Sequence, residues 1–143
     1  MEEQKNQTDD SGLAVDTTPK VTGIGGIFFF SDSPKETKEW YAENLGFEVN
    51  EWGAVSFDYR RLSKPDEITS LQWSLFKNGD EYFSPSKKDF MINYTVQNLE
   101  GLVKKLKENG VTVLDDIAAY DYGKFVHIMD KERNKIELLE PGD

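Results

Sequence analysis

Residues 23–33 read GIGGIFFFSDS: Gly23-Ile24-Gly25-Gly26, an apolar aromatic run through Phe30, then Ser31-Asp32-Ser33. Glycines at this density suit either a loop that cradles phosphate or a strand that needs small residues. The spacing excludes the loop. There is no G-x-x-x-x-G-K-[ST], and Phe28 stands where the last glycine of G-x-G-x-x-G belongs. A phosphate loop also follows a strand and opens a helix, whereas these glycines run into apolar residues and helix signals begin only after Ser33. The segment 21–30 therefore reads as a buried strand. Its glycines mark places where another backbone or a ligand comes close.

Working outward, Ser33-Pro34-Lys35-Glu36 supplies an N-cap, a proline at the first helical position and a capping-box glutamate. Thr37, Trp40, Tyr41 and Leu45 recur at helical spacing, and Gly46 ends the helix. Strands are predicted at 47–50, 54–60 and 70–76, with the polar stretch 63–67 as a loop and 77–88 as a connector. The pattern then restarts. A strand at 90–96 leads to Asn98 as N-cap, a helical stripe of Leu99, Leu102, Val103 and Leu106, and the stop Asn109-Gly110. Strands at 111–114, 124–129 and 135–139 follow. The chain thus holds two strand–helix–strand–strand–strand units, about 21–77 and 89–141, predicted to join into one core in an α+β domain spanning 20–143.

A chain of 143 residues has length for one domain with a real core. The net charge of −10 argues against nucleic acid and anionic membrane surfaces as partners. With no cysteine there is no disulfide framework, thiolate nucleophile or zinc-thiolate site. Residues 1–19 are acidic and poor in large apolar residues, and read as a disordered tail. No secretory or membrane-spanning pattern is present, so a cytoplasmic location is expected.

Three segments together resemble a known superfamily: GGIFFFSDSPKETKEWYAENLGFEV, FMINYTVQNLEGLVKKLKENGVTV and YGKFVHIMDKERNKIELLEP. They are similar to the vicinal oxygen chelate superfamily of glyoxalase I, bleomycin-resistance proteins and extradiol dioxygenases. Tyr41, Leu45 and Gly46 match its helix ending, and Asp130, Asn134, Ile136, Glu137 and Leu138 match its closing hairpin. The resemblance covers about residues 21–141. It implies two βαβββ modules curled into an incomplete barrel around a central cup, helices outside, often as a homodimer with a small organic molecule or divalent metal in the cup.

Metal-dependent relatives take one ligand from the first and one from the last strand of each module. The resemblance puts the first-strand positions at Gly25 and Met91, which offer no side chain and a poor thioether donor. Module one's last strand offers Gln72 or Trp73, and only Glu137 has the expected identity. One carboxylate falls short of a three-ligand metal site, so no metal cofactor is expected. His127, the one histidine, is a general-base candidate that would pair with Glu137 if both enter the cup. Trp40, Tyr41 and Phe47 read as core. Trp52, Trp73, Tyr120 and Tyr122 are expected to rim the cup, with Gln72, Met91, His127 and Glu137 also touching ligand. The leading reading is metal-independent binding of a small organic ligand in an aromatic cup. The alternative is a divalent-metal lyase or isomerase of the glyoxalase type.

Overall fold

The computed structural model describes residues 7–8 and 14–142. β1 (Gln7–Thr8) and β2 (Ala14–Val15) form a separate antiparallel pair. Of the segment expected as a disordered tail, residues 1–6 and 9–13 lie outside the described residues. Its end is tied to the domain: Asp16 pairs with Lys20, and the Gln97 and Asn98 side-chain amides donate to the Thr18 and Thr17 carbonyls.

The main body is one open, curved sheet. Its strands are β3 (Lys20–Ser31), β4 (Val55–Arg61), β5 (Lys64–Lys77), β6 (Phe90–Gln97), β7 (Ala118–Tyr120), β8 (Gly123–Met129) and β9 (Lys135–Pro141). They lie in the order β4-β5-β3-β6-β9-β8-β7. The two repeat units meet where β3 and β6 pair antiparallel. Within each unit the first strand pairs parallel with the last, β3 with β5 and β6 with β9. A parallel pair needs a crossover, and α1 (Pro34–Leu45) and α2 (Leu99–Glu108) lie in these crossovers. The expected pair of modules in one curved sheet is therefore the observed architecture, with three strands in module one (β3, β4, β5) in place of the expected four, and four in module two (β6, β7, β8, β9).

Helix punctuation follows the sequence closely but not completely. Gly46 takes the left-handed conformation (φ 71°) that ends α1, and the Asn98 side chain accepts from the Gly101 N–H at the start of α2. The Ser33 hydroxyl makes no capping bond. Instead, Ser31 Oγ accepts from the Ser33 N–H and shares a 2.9 Å hydrogen bond with the Thr37 hydroxyl.

Several strand expectations are corrected. Residues 47–50 are not a strand, because the Asn50 side chain accepts from the Trp52 and Ala54 N–H groups and folds the chain into a turn. Residues 111–114 contribute only an isolated bridge, Val113 to Ile128. The polar stretch 63–67 is not a loop but largely the start of β5, which makes a long hairpin with β4. Polar residues and Pro65 are tolerated there because pairing to β3 begins only at Gln72, leaving that half of β5 at an open edge.

The single core predicted by the repeat is two clusters. Between α2 and the sheet, Leu99, Leu102 and Val103 of the helix pack on Val96, Val126, Ile128 and Leu138. Under α1 lie only Val55, Trp73 and Leu75, with Phe29, Tyr41, Phe47 and Phe57 against them. The physical cause is the helices themselves: α2 carries an apolar stripe, while α1 has no buried residue. Trp40, expected in the core, is exposed; Tyr41 and Phe47 do pack, both against Trp73. Among the described residues no helix is long and apolar enough to cross a membrane.

Trp73 is 7 % exposed at the centre of the smaller cluster, whereas Trp52 is 82 % exposed in the turn before β4. Trp73→Ala is expected to cost about 3–5 kcal/mol in urea denaturation, and Trp52→Ala no more than about 0.5 kcal/mol.

Candidate functional site

Strand register assembles the site. Gly26 pairs with Gln72 on one side and Asn93 on the other; Asn93 pairs with Glu137, Glu137 with His127, and Gln72 with Ser56. Directly paired residues point to the same face of a sheet. The concave face therefore carries a row running Ser56, Gln72, Gly26, Asn93, Glu137, His127 across six strands. From Gln72 to Glu137 is three strand spacings, roughly 14 Å.

The period-2 alternation also settles which residue of β5 faces the cup. Gln72 lies in the row, its amide donating to Ser56 Oγ at 3.0 Å. Trp73 points to the opposite face and belongs to the core beneath α1. Its expected place on the rim is overturned for that reason.

The glycines of the opening stretch now have a cause. A Cβ on Gly25 would sit 2.4 Å from Asn93 Oδ1 and 2.9 Å from Thr95 Cγ2. One on Gly26 would meet the Phe28 ring at 2.6 Å. What comes close is neither phosphate nor backbone but side chains: Asn93 and Thr95 from β6, and Phe28 from β3 itself.

Glu137 is the centre of the row. It is 4 % exposed, and a carboxylate this deep needs donors. Asn93 Nδ2 donates to Oε1 at 2.7 Å, His127 Nε2 donates to Oε2 at 2.7 Å, and the Tyr82 hydroxyl also donates to Oε2. His127 Nδ1 donates in turn to Asp115 Oδ2 at 2.7 Å, and its backbone N–H donates to Asp115 Oδ1. With a carboxylate at each ring nitrogen, both N–H groups of a protonated His127 have acceptors, which favours the imidazolium. Burial by itself would lower its pKa, but the hydrogen bonds and charges of Glu137 and Asp115 outweigh it and the pKa is raised. For Glu137, burial pushes upward and the three donors overcome it, so its pKa is lowered. Burial, followed by the bond to Glu137, pushes the Tyr82 phenol well above its ordinary range.

Chemically, this is a proton-donating cluster around a fixed anion rather than a poised base. The donor set does not fit a divalent metal. Both Glu137 oxygens face protein donors, the Asn93 amide turns its nitrogen rather than its oxygen toward Glu137, and both His127 ring nitrogens are engaged by carboxylates.

Of the residues expected to touch ligand, Gln72, His127 and Glu137 share the concave face, and the last two are in contact. Met91 is on that face, paired with Phe28, but is fully buried and offers a ligand no surface. Trp52 stands exposed in a turn. Tyr120 and Tyr122 stack on each other at 5.2 Å and meet Phe125 edge-on, at the β7–β8 turn. Beside Glu137 stands a second aromatic group, Phe28, Phe76 and Tyr82, with Phe76 stacked on Tyr82 (centroids 5.4 Å, 11°) and edge-on to Phe28. Sequence reasoning missed Tyr82, Asn93 and Asp115. Asn93 left a signal, an amide among the apolar residues Phe90, Met91, Ile92 and Tyr94 of β6; the other two lie in connectors and left none.

Comparison with known proteins agrees with this architecture. No family model and no curated protein matches the chain. Among solved structures, a Streptomyces coelicolor methylmalonyl-CoA epimerase variant in complex with 2-nitronate-propionyl-CoA superposes with TM-score 0.62 and 17% identity, covering 87% of this chain and 100% of that one. Methylmalonyl-CoA epimerase from Mycobacterium tuberculosis matches with TM-score 0.58, 20% identity, and 90% and 94% coverage. A glyoxalase/bleomycin resistance protein/dioxygenase superfamily member from Vibrio splendidus 12B01 matches with TM-score 0.50, 15% identity, and 86% and 99% coverage. The chain has the vicinal oxygen chelate fold.

The shifted pKa values set a pH dependence. The folded pKa of His127 lies above 6.5, so its contribution to stability is complete below that value and is lost as pH rises through the folded pKa. The folded pKa of Glu137 lies below 4.5, so its contribution is present above that value and is lost as pH falls through the folded pKa. NMR titration of the single histidine is expected to give a midpoint above 6.5. Urea midpoints measured against pH should show an alkaline decline that His127→Gln removes.

Proposed function

We propose that this protein binds a small organic molecule on the concave face, over the row from Gln72 to His127, without a resident metal. The observation that carries the reading is Glu137: a buried carboxylate whose three donors are protein side chains. The row supplies polar groups at its two ends, Gln72 and the Glu137–His127 pair, and Phe28, Phe76 and Tyr82 supply an aromatic wall along one side of it. A few convergent polar groups beside apolar walls suit a flat ligand with one hydrogen-bonding edge. Relatives of this fold bind small organic molecules, among them the CoA derivative in the Streptomyces coelicolor structure. Glu137 and His127 act here as ligand-orienting groups, with His127 the candidate proton donor if a reaction occurs.

The protein works as a homodimer in this reading. Module one exposes Trp40, Leu45, Trp52, Leu62 and Ile68 on its helix, the turn before β4 and the β4–β5 hairpin, an apolar surface that a second copy would cover. Light scattering on the purified chain is expected to give twice the 16.4 kDa monomer mass.

Metal content and melting temperature test the site. Protein purified without chelator is expected to hold no stoichiometric metal, and Ni²⁺, Zn²⁺, Mn²⁺ or EDTA to move the melting temperature by less than about 1 °C. A resident metal held at a hundredfold excess over its Kd would add about 2.7 kcal/mol, a shift of several degrees. That result would replace this reading with a metal-dependent lyase or isomerase.

A further inference from the structure

Tyr82 belongs to neither repeat unit. It sits in a short 3₁₀ turn (Glu81–Phe83) of the connector between the modules and reaches over the concave face from outside. Its ring stacks on Phe76, meets His127 edge-on (5.6 Å, 90°), and lies 5.1 Å from the Lys135 ammonium. Its hydroxyl donates to Glu137 Oε2. Ring and hydroxyl together fill the slot bounded by Phe76, His127, Lys135 and Glu137.

The two neighbours in this turn are held very differently. Phe83 is 1 % exposed, stacked on Phe30 at 4.5 Å and packed on Phe76, so it anchors the connector. Tyr82 remains 41 % exposed. Glu137's other donors, Asn93 and His127, come from paired strands of the sheet, and only Tyr82 comes from a connector. Gly79, at φ 89°, stands three residues before it and gives the backbone a place to turn. Moving Tyr82 aside breaks no strand pairing.

We infer that Tyr82 is the resident occupant of an aryl-hydroxyl subsite, and that a ligand carrying a phenolic hydroxyl takes its place against Glu137. This rests on the small-molecule reading above and adds the chemistry of the ligand. The slot selects that chemistry on three counts. The Glu137 oxygen accepts a hydroxyl proton and repels a carboxylate or phosphate. The Phe76 face and His127 edge favour a flat ring. The Lys135 ammonium favours a ring with an electron-rich face. Because like replaces like, Tyr82 competes with the ligand from within. The apparent affinity of the wild-type protein is reduced by the fraction of molecules in which Tyr82 fills the slot.

The test is a titration of 4-methylphenol into wild type, Tyr82→Ala and Tyr82→Phe, following the His127 ring signals by NMR and the melting temperature. Tyr82→Ala is expected to bind at least tenfold more tightly than wild type, and Tyr82→Phe, which keeps the ring, to lie between them. Toluene and cyclohexanol, each lacking half of the chemistry, are expected to bind Tyr82→Ala at least tenfold more weakly than 4-methylphenol does. Equal affinity of 4-methylphenol for all three proteins, or unmoved His127 signals in both variants, overturns the inference. Toluene or cyclohexanol moving those signals as strongly as 4-methylphenol also overturns it, while leaving the small-molecule reading intact. Tyr82→Phe keeps the test decisive should Tyr82→Ala fail to fold.

Discussion

A carboxylate taken out of water must be met by donors or it gives up its charge. Glu137 is the residue on which this structure turns, because its donors arrive from both neighbouring strands and from the inter-module connector. Asn93 reaches it across the β6–β9 pairing and His127 across the β8–β9 pairing. A one-residue slip of either strand would swing its donor to the opposite face. The ionic cluster therefore enforces the same register as the apolar residues beneath α2. The glycines at 25 and 26 serve that arrangement, since a side chain at either would press on Asn93.

The two halves of the sheet descend from one pattern but end with different physics. On the first-module side the concave face is wet: Asp58, Ser56, Ser70 and Gln72 bond to one another in contact with solvent. On the second-module side the same row is buried under Tyr82. The helices show the same division, α2 packed by an apolar stripe and α1 lying exposed. A face that is open and polar at one end, dry and charged at the other, has a direction. This is how one fold takes different functions in different chains: the scaffold is shared, and the site is set by a few side chains upon it.

Much of this was legible from local chemistry. Proline and glycine punctuation placed both helices, the glycine spacing ruled out a phosphate loop, and the alternation around His127 put it on one face with Phe125 and Met129. The misreadings share a cause. The stretch 63–67 reads as a loop because it is polar, yet an open hairpin arm needs no apolar face. Trp73 was expected on the rim because aromatic rings favour binding sites, but a ring's identity does not say which way it faces.

The amino-acid sequence by itself determined the two helices and the strands that lead into them, the repeat, the strand character of the glycine-rich stretch, and the alternation that puts Gln72 and Trp73 on opposite faces. Those properties follow from backbone sterics and from side-chain periods within a few residues. Only the tertiary structure decided which of those two faces is concave, and only it brought Asp115 to one side of His127 and Tyr82 to the other. Asp115 is 12 residues from His127 and Tyr82 is 55 from Glu137. No local period spans such separations, so these contacts are set by where packed strands and helices leave the connectors free to go.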